Sequence, residues 1–510
     1  MLLKNRSRVL SAVSFASLAA AAQADVKLPA LISDNMVLQQ GTAANVWGTA
    51  DPGEAITVKL GDKANAQVTA AQDGKWSVKL SDLPAGDAGD LVIGGKNTLT
   101  VKNVAVGEVW VASGQSNMEF TAKGAIHWAE ESASANIPQI RMFTVSRVAK
   151  AAPQTECTGK WDVCTPQNTE HFSAVAYFFA RHLWQNVKMP MGIIHTSWGG
   201  TPAEIWTPTE LIQQDPAYAS FVKDWEKAKA NYPKAKEDYD AALAKWTEDD
   251  QKAKAEGTKS PAKPKAPRGG DDFGAPGCLY NGMIAPLLPY TIRGAIWYQG
   301  EANAGRAAQY ERLFSTMIES WRERWNVGEF PFLFVQLANF QPRHDEPTDT
   351  DWARLREAQL QTLSVPHTGM ALAIDIGEGG DIHPKNKQEV GRRLGLIAQA
   401  TVYYQDTEYS GPIVGGAQEE EGKIRLTFRF SEGMKTSDGQ KPKGFAIAGE
   451  DRKFVWADAE IQGDHVIVSS PQVPKPVAVR YAWADNPECN LVNEAGLPAS
   501  PFRTDDWPKQ

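Results

Sequence analysis

Val106-Gly107-Glu108-Val109-Trp110-Val111-Ala112-Ser113 runs directly into Gly114-Gln115-Ser116-Asn117-Met118. The first eight residues are almost continuously apolar. A strand buried on both faces of a parallel sheet has that texture, because helices cover both of its sides and no solvent face requires alternation. The next five residues include a glycine, a serine and two amides. A serine at the C-terminal end of such a strand stands where open α/β sheets place their sites. The backbone after it can turn into a helix whose first amides face the serine. Amides so placed stabilise an oxyanion. The pattern is not the Gly-x-Ser-x-Gly elbow of other α/β enzymes. Taken alone, a serine in a Gly/Asn loop is more often a helix cap.

Working outward, Met191 to Thr196, Ile292 to Tyr298, Pro331 to Leu337 and Gly369 to Ile376 are further apolar runs of strand length. Phe172 to Val187, Ala308 to Trp325 and Lys385 to Tyr404 carry apolar residues at three- and four-residue steps, the helical period. Strand and helix alternating over residues 104–410 predict a three-layer α/β domain with a parallel sheet. Residues 25–103 instead show short alternating strands, Val46-Trp47, Ala55 to Leu60 and Trp76 to Leu80, separated by turns such as Asp51-Pro52-Gly53. They predict a small β-sandwich. Residues 411–510 return to that texture and predict a second β region.

Residues 216–270 interrupt the α/β pattern. They are rich in Lys, Ala, Glu and Asp, and Trp225, Tyr232, Tyr239 and Trp246 recur every seventh residue. That spacing predicts a helical arm with one aromatic seam, bent at Pro233. The seam packs on the protein's own surface or forms a homodimer contact. Gly257 to Gly270 reads as a polar, Pro-rich linker.

Three more polar loops follow apolar strands. Thr196-Ser197-Trp198-Gly199-Gly200-Thr201-Pro202 leaves two glycines at a strand end, where backbone can approach a ligand closely. Trp297-Tyr298-Gln299-Gly300-Glu301-Ala302-Asn303 offers amide donors and a carboxylate. Gly380-Asp381-Ile382-His383-Pro384 places a histidine two residues from an aspartate that can orient it. Each alone reads as an ordinary turn. Four such loops in one α/β region are better explained by one shared site. An Asp-x-His pair also suits a metal, but no third ligand stands near it in the sequence, so no metal or cofactor is expected.

Composition narrows the class. The 510 residues include 53 Lys+Arg and 61 Asp+Glu, for a net charge of -8. Acidity argues against nucleic-acid binding, which needs a basic face. Lys4, Arg6 and Arg8 precede an apolar Val9 to Ala22, followed by the small-x-small Ala22-Gln23-Ala24. That is the form of a cleavable secretion signal. The run is too short for a membrane span of about 20 residues, and no other stretch reaches that length. Residues 1–24 are therefore expected to be removed before Asp25, giving a periplasmic or secreted protein. Export permits disulfides, and Cys157 with Cys164, and Cys278 with Cys489, are the candidate pairs. Of the 17 Trp, Trp110, Trp198 and Trp297 lie in site-bearing segments and are the candidates for stacking on a sugar ring.

At this point the chain resembles a known family. The order Gly114-Gln115-Ser116-Asn117, Gly200, Gln299-Gly300-Glu301-Ala302-Asn303, then Asp381 and His383 is similar to the SGNH hydrolase superfamily, and more closely to the sialate O-acetylesterase family. Asp34 to Gln39, Gly107 to Trp110, Trp198 to Glu204, Leu279 to Ile284, Ile382 to Lys387 and Gly496 to Arg503 also resemble that family's motifs, so the resemblance covers nearly the whole mature chain. It implies an SGNH-type, flavodoxin-like sheet and a cofactor-free serine esterase that removes O-acetyl groups from a sugar or oligosaccharide. Ser116 would be the nucleophile, His383 the base and Asp381 the acid, with Asp375 or Glu378 as substitutes. The amides of Ser116 and Gly200, with Gln299 or Asn303, would form the oxyanion hole. Asn117, Trp198 and Glu301 would touch substrate.

The expected substrate is a 9-O-acetylated sialic acid. Acetylated xylan, xyloglucan or pectin is the alternative, and a non-catalytic carbohydrate-binding protein or an acyl-directed lipase or thioesterase would be different classes altogether. A sialate carboxylate needs a cation; Arg293, Arg306 and Arg343 lie near the suspected loops in sequence.

Overall fold

The computed structural model describes residues 25–267, 269 and 273–509. The expected secretion signal, 1–24, lies outside the described residues.

The apolar run of Val106 to Ser113 forms the second half of one long strand, β1 (Thr98–Gly114). Its first half belongs to the N-terminal β region. There it pairs antiparallel with Gly86–Gly94 and parallel with Val37–Gln39. Its second half is the centre of the α/β sheet. Asn103 has φ +58 at the passage between the two. Its amide donates to Asp90 Oδ1 (3.2 Å) and its Nδ2 to Asn35 Oδ1 (2.7 Å). Asn tolerates this left-handed conformation better than most residues. The boundary expected at 103/104 thus falls inside an unbroken strand.

Around β1 stand β2 (Ile137–Thr144), β3 (Trp161–Cys164), β4 (Met191–Ser197), β5 (Gly294–Tyr298), β6 (Phe332–Val335) and β7 (Thr368–Ala371). Their order is β7-β6-β5-β1-β4-β2-β3. All neighbours run parallel except β3, which is antiparallel to β2. The chain builds one side of β1 and then crosses to the other. The strand order reverses at β1, and the ends of β1, β4 and β5 open the crevice that such a reversal creates.

Strand side chains point alternately to two cores. Trp110, Ala112, Ile193 and Ile296 share one with Phe179 of α2 (Ala174–Val187) and with Leu394 and Ile397 of α6 (Lys387–Thr401). Val109, Val111, Ile194 and Trp297 share the other with Phe314 and Trp321 of α4 (Ala307–Trp325) and Leu355 of α5 (Asp351–Gln361). Each large apolar side chain so buried contributes about 1.5–3 kcal/mol. The molecule is therefore mixed α/β, with a central, mostly parallel sheet and additional antiparallel sheets.

The N-terminal strands alternate as expected. In Ala55–Leu60 and Lys75–Leu80 every second residue is buried, among them Ile56, Val58, Trp76 and Val78. The C-terminal region forms two four-stranded antiparallel sheets and a two-stranded one, around Ile424, Leu426, Val466, Val468 and Tyr481. It docks on the α/β layer through Arg356 of α5. That side chain is fully buried and donates to the carbonyls of Leu337 (2.8 Å), Ala338 (2.8 Å), Ala484 (2.7 Å) and Asp485 (2.9 Å).

The arm is α3 (Ala219–Glu256), and it runs unbroken through Pro233. Its seam residues Trp225, Tyr232, Tyr239 and Trp246 are half-buried. The polar segment after it folds back on the seam. Trp246 Nε1 donates to Pro261 O (2.8 Å) and Lys263 Nζ lies 5.4 Å from the Trp246 ring.

All four cysteines are thiols, so the expected disulfide pairs are not formed. Cys157 packs against the core that holds Trp297, while Cys164 lies in the opposite core. Cys164 Sγ instead donates to Ala135 O (3.4 Å). Among the described residues no helix is long and apolar enough to cross a membrane.

Candidate active site

The site is built on the end of β1. Gly114 has φ +139, and a Cβ there would lie 2.2 Å from Tyr298 O of β5. Only glycine fits this close approach. The amide of Gln115 donates to the same Tyr298 O (3.0 Å), and that of Trp198 donates to Gly114 O (3.1 Å). Three strand ends are thereby pinned together around Ser116. The helix that follows, α1 (Ser116–Glu119), is a single turn.

His383 arrives from the loop between β7 and α6. Its Nε2 stands 2.8 Å from Ser116 Oγ. A neutral imidazole at that distance can take the hydroxyl proton. Burial, then the nearby Lys387 cation, pull the His383 pKa below its ordinary value, while Asp381 and Glu119 oppose the shift. The imidazole is therefore held neutral, the form a base requires.

The three candidate acids separate clearly. Asp381 Oδ1 accepts the backbone amide of His383 (2.9 Å) and lies 3.7 Å from its Nδ1. Asp375 is bound bidentately by Arg393 (2.6 and 2.7 Å). Glu378 accepts from the amide (3.2 Å) and Nζ (3.4 Å) of Lys385. Asp381 is the one beside the imidazole, although its carboxylate reaches the backbone of His383 more closely than the ring.

The glycine loop lies against the serine. A Cβ on Gly199 would be 3.3 Å from Ser116 Cβ. The Gly199 amide is committed to Glu119 Oε2 (2.6 Å). Gly200 has φ +71, and its amide, like that of Ser116, donates to no group among the described residues. The two expected amide side chains behave differently. Gln299 Nε2 spends both hydrogens, on Thr201 O (3.2 Å) and Asn303 Oδ1 (2.7 Å), while its Oε1 accepts from Tyr310 (2.8 Å). Gln299 is a buried brace and has no donor left to offer. Asn303 Nδ2 gives one hydrogen to Glu204 Oε2 (2.9 Å) and keeps the second.

Asn117, expected to touch substrate, is buried beneath the site instead, and Glu301, expected to do the same, is half-buried with its Oε2 turned out of solvent. Asn117 Nδ2 donates to Glu301 Oε1 (2.5 Å) and to Ile382 O (3.0 Å), the residue before His383. Asn117 Oδ1 accepts from Lys387 Nζ. This ammonium lies over the rings of Phe120 (4.9 Å) and Tyr298 (5.2 Å). Burial pushes the Lys387 pKa down to about 7 and raises that of Glu301. Sequence reasoning assigned no role to Lys387. Its signal was a lysine at the first position of a helix, where a cation opposes the dipole.

Trp110 and Trp297 are fully buried core residues and cannot stack on a sugar. Trp198 remains. Its ring packs 4.7 Å from Phe273, which follows the arm, and Arg147 lies 6.0 Å from it. Arg147 also pairs with Glu119. Arg293 is held by Glu108 (2.6 and 3.1 Å) just before β5, at the opposite end of the sheet. Arg306 is bound by Glu204 (2.8 Å), and Arg343 pairs with Glu488 (3.3 Å). Besides the buried Lys387, Arg147 is a half-exposed cation next to the serine loop, and sequence reasoning passed over it.

A serine–histidine pair at the reversal point of a parallel sheet, with backbone amides beside it, marks an α/β ester hydrolase. The sequence profile of the family described as "Carbohydrate esterase, sialic acid-specific acetylesterase" matches residues 106–256 and 271–400, more than half of the chain. The chain belongs to that family and is a carboxylic ester hydrolase. It is similar to sialate O-acetylesterase of Mus musculus, with 29% identity across 92% of this chain and 93% of that one. The Homo sapiens sialate O-acetylesterase is 28% identical, across 92% and 91%. A crystal structure described as a carbohydrate acetylesterase from Xanthomonas citri is 37% identical. It superposes with a TM-score of 0.81 over 94% of this chain and 100% of that one.

Proposed function

We propose that the protein is a serine esterase of SGNH type that removes O-acetyl groups from a carbohydrate. The observation that carries this is the 2.8 Å contact between Ser116 Oγ and His383 Nε2 at the strand-order reversal. His383 takes the Ser116 proton as Oγ attacks the acetyl carbonyl. The Ser116 and Gly200 amides and the remaining hydrogen of Asn303 Nδ2 receive the oxyanion. Each such donor lowers the barrier by about 2.7–4 kcal/mol. His383 returns the proton to the sugar oxygen, the alcohol leaves, and water attacks the acetyl-enzyme to release acetate. Asp381 steadies the loop and the charge on the imidazolium.

An O-acetylated sialic acid, with O9 as the expected position, is the first substrate; the sialate rests on the names of the mammalian relatives and on Arg147, whose cation can receive a carboxylate. A neutral acetylated polysaccharide is the second, favoured by the Xanthomonas citri structure, whose description names carbohydrate without sialic acid. The enzyme works after export, with Asp25 as its first residue.

Ser116→Ala is expected to abolish acetate release from p-nitrophenyl acetate by folded protein. Near-normal release would remove Ser116 as nucleophile. Acetate release measured side by side from 9-O-acetylated sialic acid and from acetylated xylo-oligosaccharides decides between the two substrates.

A further inference from the structure

A cavity of about 350 Å³ lies between the loop after β6 and the C-terminal β region, within the size range of ligand pockets. Its wall is continuous with the loop that delivers His383. Gly379 O accepts the amide of Gln341 (3.0 Å), and Gln341 O accepts Asn486 Nδ2 (2.8 Å). Gly377 donates to Asn339 Oδ1 (2.7 Å), and Asn339 Nδ2 donates to Asn486 Oδ1 (2.8 Å). Asn486 lines the cavity. Gly379 precedes His383 by four residues, so the two stand no more than about 14 Å apart.

The cavity has the features of a sugar site. Trp456 lines it and is 45% exposed as a residue. Its Nε1 donates to Asp345 O (2.7 Å), so the ring is fixed as a flat apolar platform. Lys443 and Glu488 (2.9 Å) and the Arg343 guanidinium put hydrogen-bonding groups around that platform. Arg343 and Lys443 are balanced by Asp345 and Glu488, which suits a neutral occupant. One non-glycine residue of its lining, Ala482 (φ +51), holds left-handed backbone, as does Gln341 (φ +77), which is bonded to the lining residue Asn486. Such strain collects at binding sites. A larger groove of about 760 Å³ lies elsewhere. It is lined by the N-terminal strands and the turns around Gln154 and Pro289, none of which carries a catalytic group.

We propose that this cavity is a subsite for neutral sugar residues adjoining the acetylated one, with Trp456 as its stacking platform. The inference rests on the carbohydrate esterase reading and extends it: the preferred substrate is a glycan chain and not a free acetylated monosaccharide.

Two matched pairs test it: 9-O-acetylated sialyllactose against free 9-O-acetylated sialic acid, and acetylated xylo-oligosaccharide against acetylated xylose. The wild-type enzyme is expected to show a higher kcat/KM on the chain member of at least one pair. Trp456→Ala should cut that advantage by about five- to tenfold, and Trp456→Phe should restore most of it. Thermal melting confirms that each variant is folded. An equal kcat/KM on chain and monosaccharide in both pairs, or an advantage that survives Trp456→Ala, overturns the subsite. Loss of acetate release from every sugar while p-nitrophenyl acetate is still cleaved overturns the carbohydrate reading itself, and the subsite with it.

Discussion

Lys387 shows how much one buried side chain can decide. It anchors Asn117, and Asn117 holds both Glu301 and the carbonyl before His383. Its charge also lowers the His383 pKa. The sign follows directly. Lys387 is charged below about 7, and that charge disfavours a second cation on His383, so the base stays neutral further into acid. The acid limb of kcat/KM is expected below the ordinary imidazole value of about 6.5. Lys387→Met removes the charge, and the limb should move to higher pH while kcat falls. A pH profile of p-nitrophenyl acetate cleavage reads this; an unmoved limb would leave Lys387 a packing residue only. Asp381 gives a second residue-scale test. A carboxylate hydrogen-bonded to the base is worth about 10⁴ in rate. At 3.7 Å from Nδ1, Asp381→Asn is expected to cost less, about 10- to 100-fold. A full 10⁴ loss would mean that the carboxylate closes on the ring during catalysis.

At the scale of elements, the sequence is legible where apolar period and burial agree. β1, β4, β5, α2, α4 and α6 were visible because most of their buried positions are apolar, despite buried polar residues such as Glu108, His195 and Lys387. β2 was not, since Pro138, Gln139 and Arg141 break up its apolar run. α5 was not either, because its inner face carries Arg356 and Gln359, both fully buried. Hydrophobic periodicity cannot register a helix that buries hydrogen-bonding groups. The site follows the same logic. The serine, glycine and histidine loops were marked by their own composition. Gln299 and Asn303 could be told apart only by which hydrogens their neighbours consume, and Arg147 lies in a segment whose sequence carries no motif. Trp110 and Trp297 were misjudged for the opposite reason: in a strand covered on both faces, alternation sends a tryptophan into one core or the other, whichever way it points.

For the whole molecule, the question is how three structural regions act as one. The N-terminal β region shares β1 with the catalytic sheet, so the two are covalently and geometrically continuous. The C-terminal region has no shared strand, and its polar attachment includes the Arg356 clamp, the Asn486 bonds to Asn339 and Gln341, and Arg503, which binds Glu357 of α5 bidentately (2.7 and 3.0 Å). Burial pushes even the Arg356 pKa down to about 10, a sign of how little solvent reaches the guanidinium. Arg356→Met keeps the volume but leaves the carbonyls of Leu337 and Ala484 without a donor, while Ala338 O keeps Trp352 Nε1 (2.9 Å) and Asp485 O keeps the Phe340 amide (3.1 Å). Each buried acceptor left unpaired costs about 1–3 kcal/mol. The variant should therefore melt several degrees lower, at about 2–4 °C per kcal/mol. Limited proteolysis should release a fragment near residues 411–510 sooner than in the wild type. If melting and proteolysis both stay as in the wild type, the carbonyls have found other donors and the C-terminal region is held by its apolar contacts. If both change, the wall of the Trp456 cavity depends on the same arginine that ties the catalytic layer to the β region beside it.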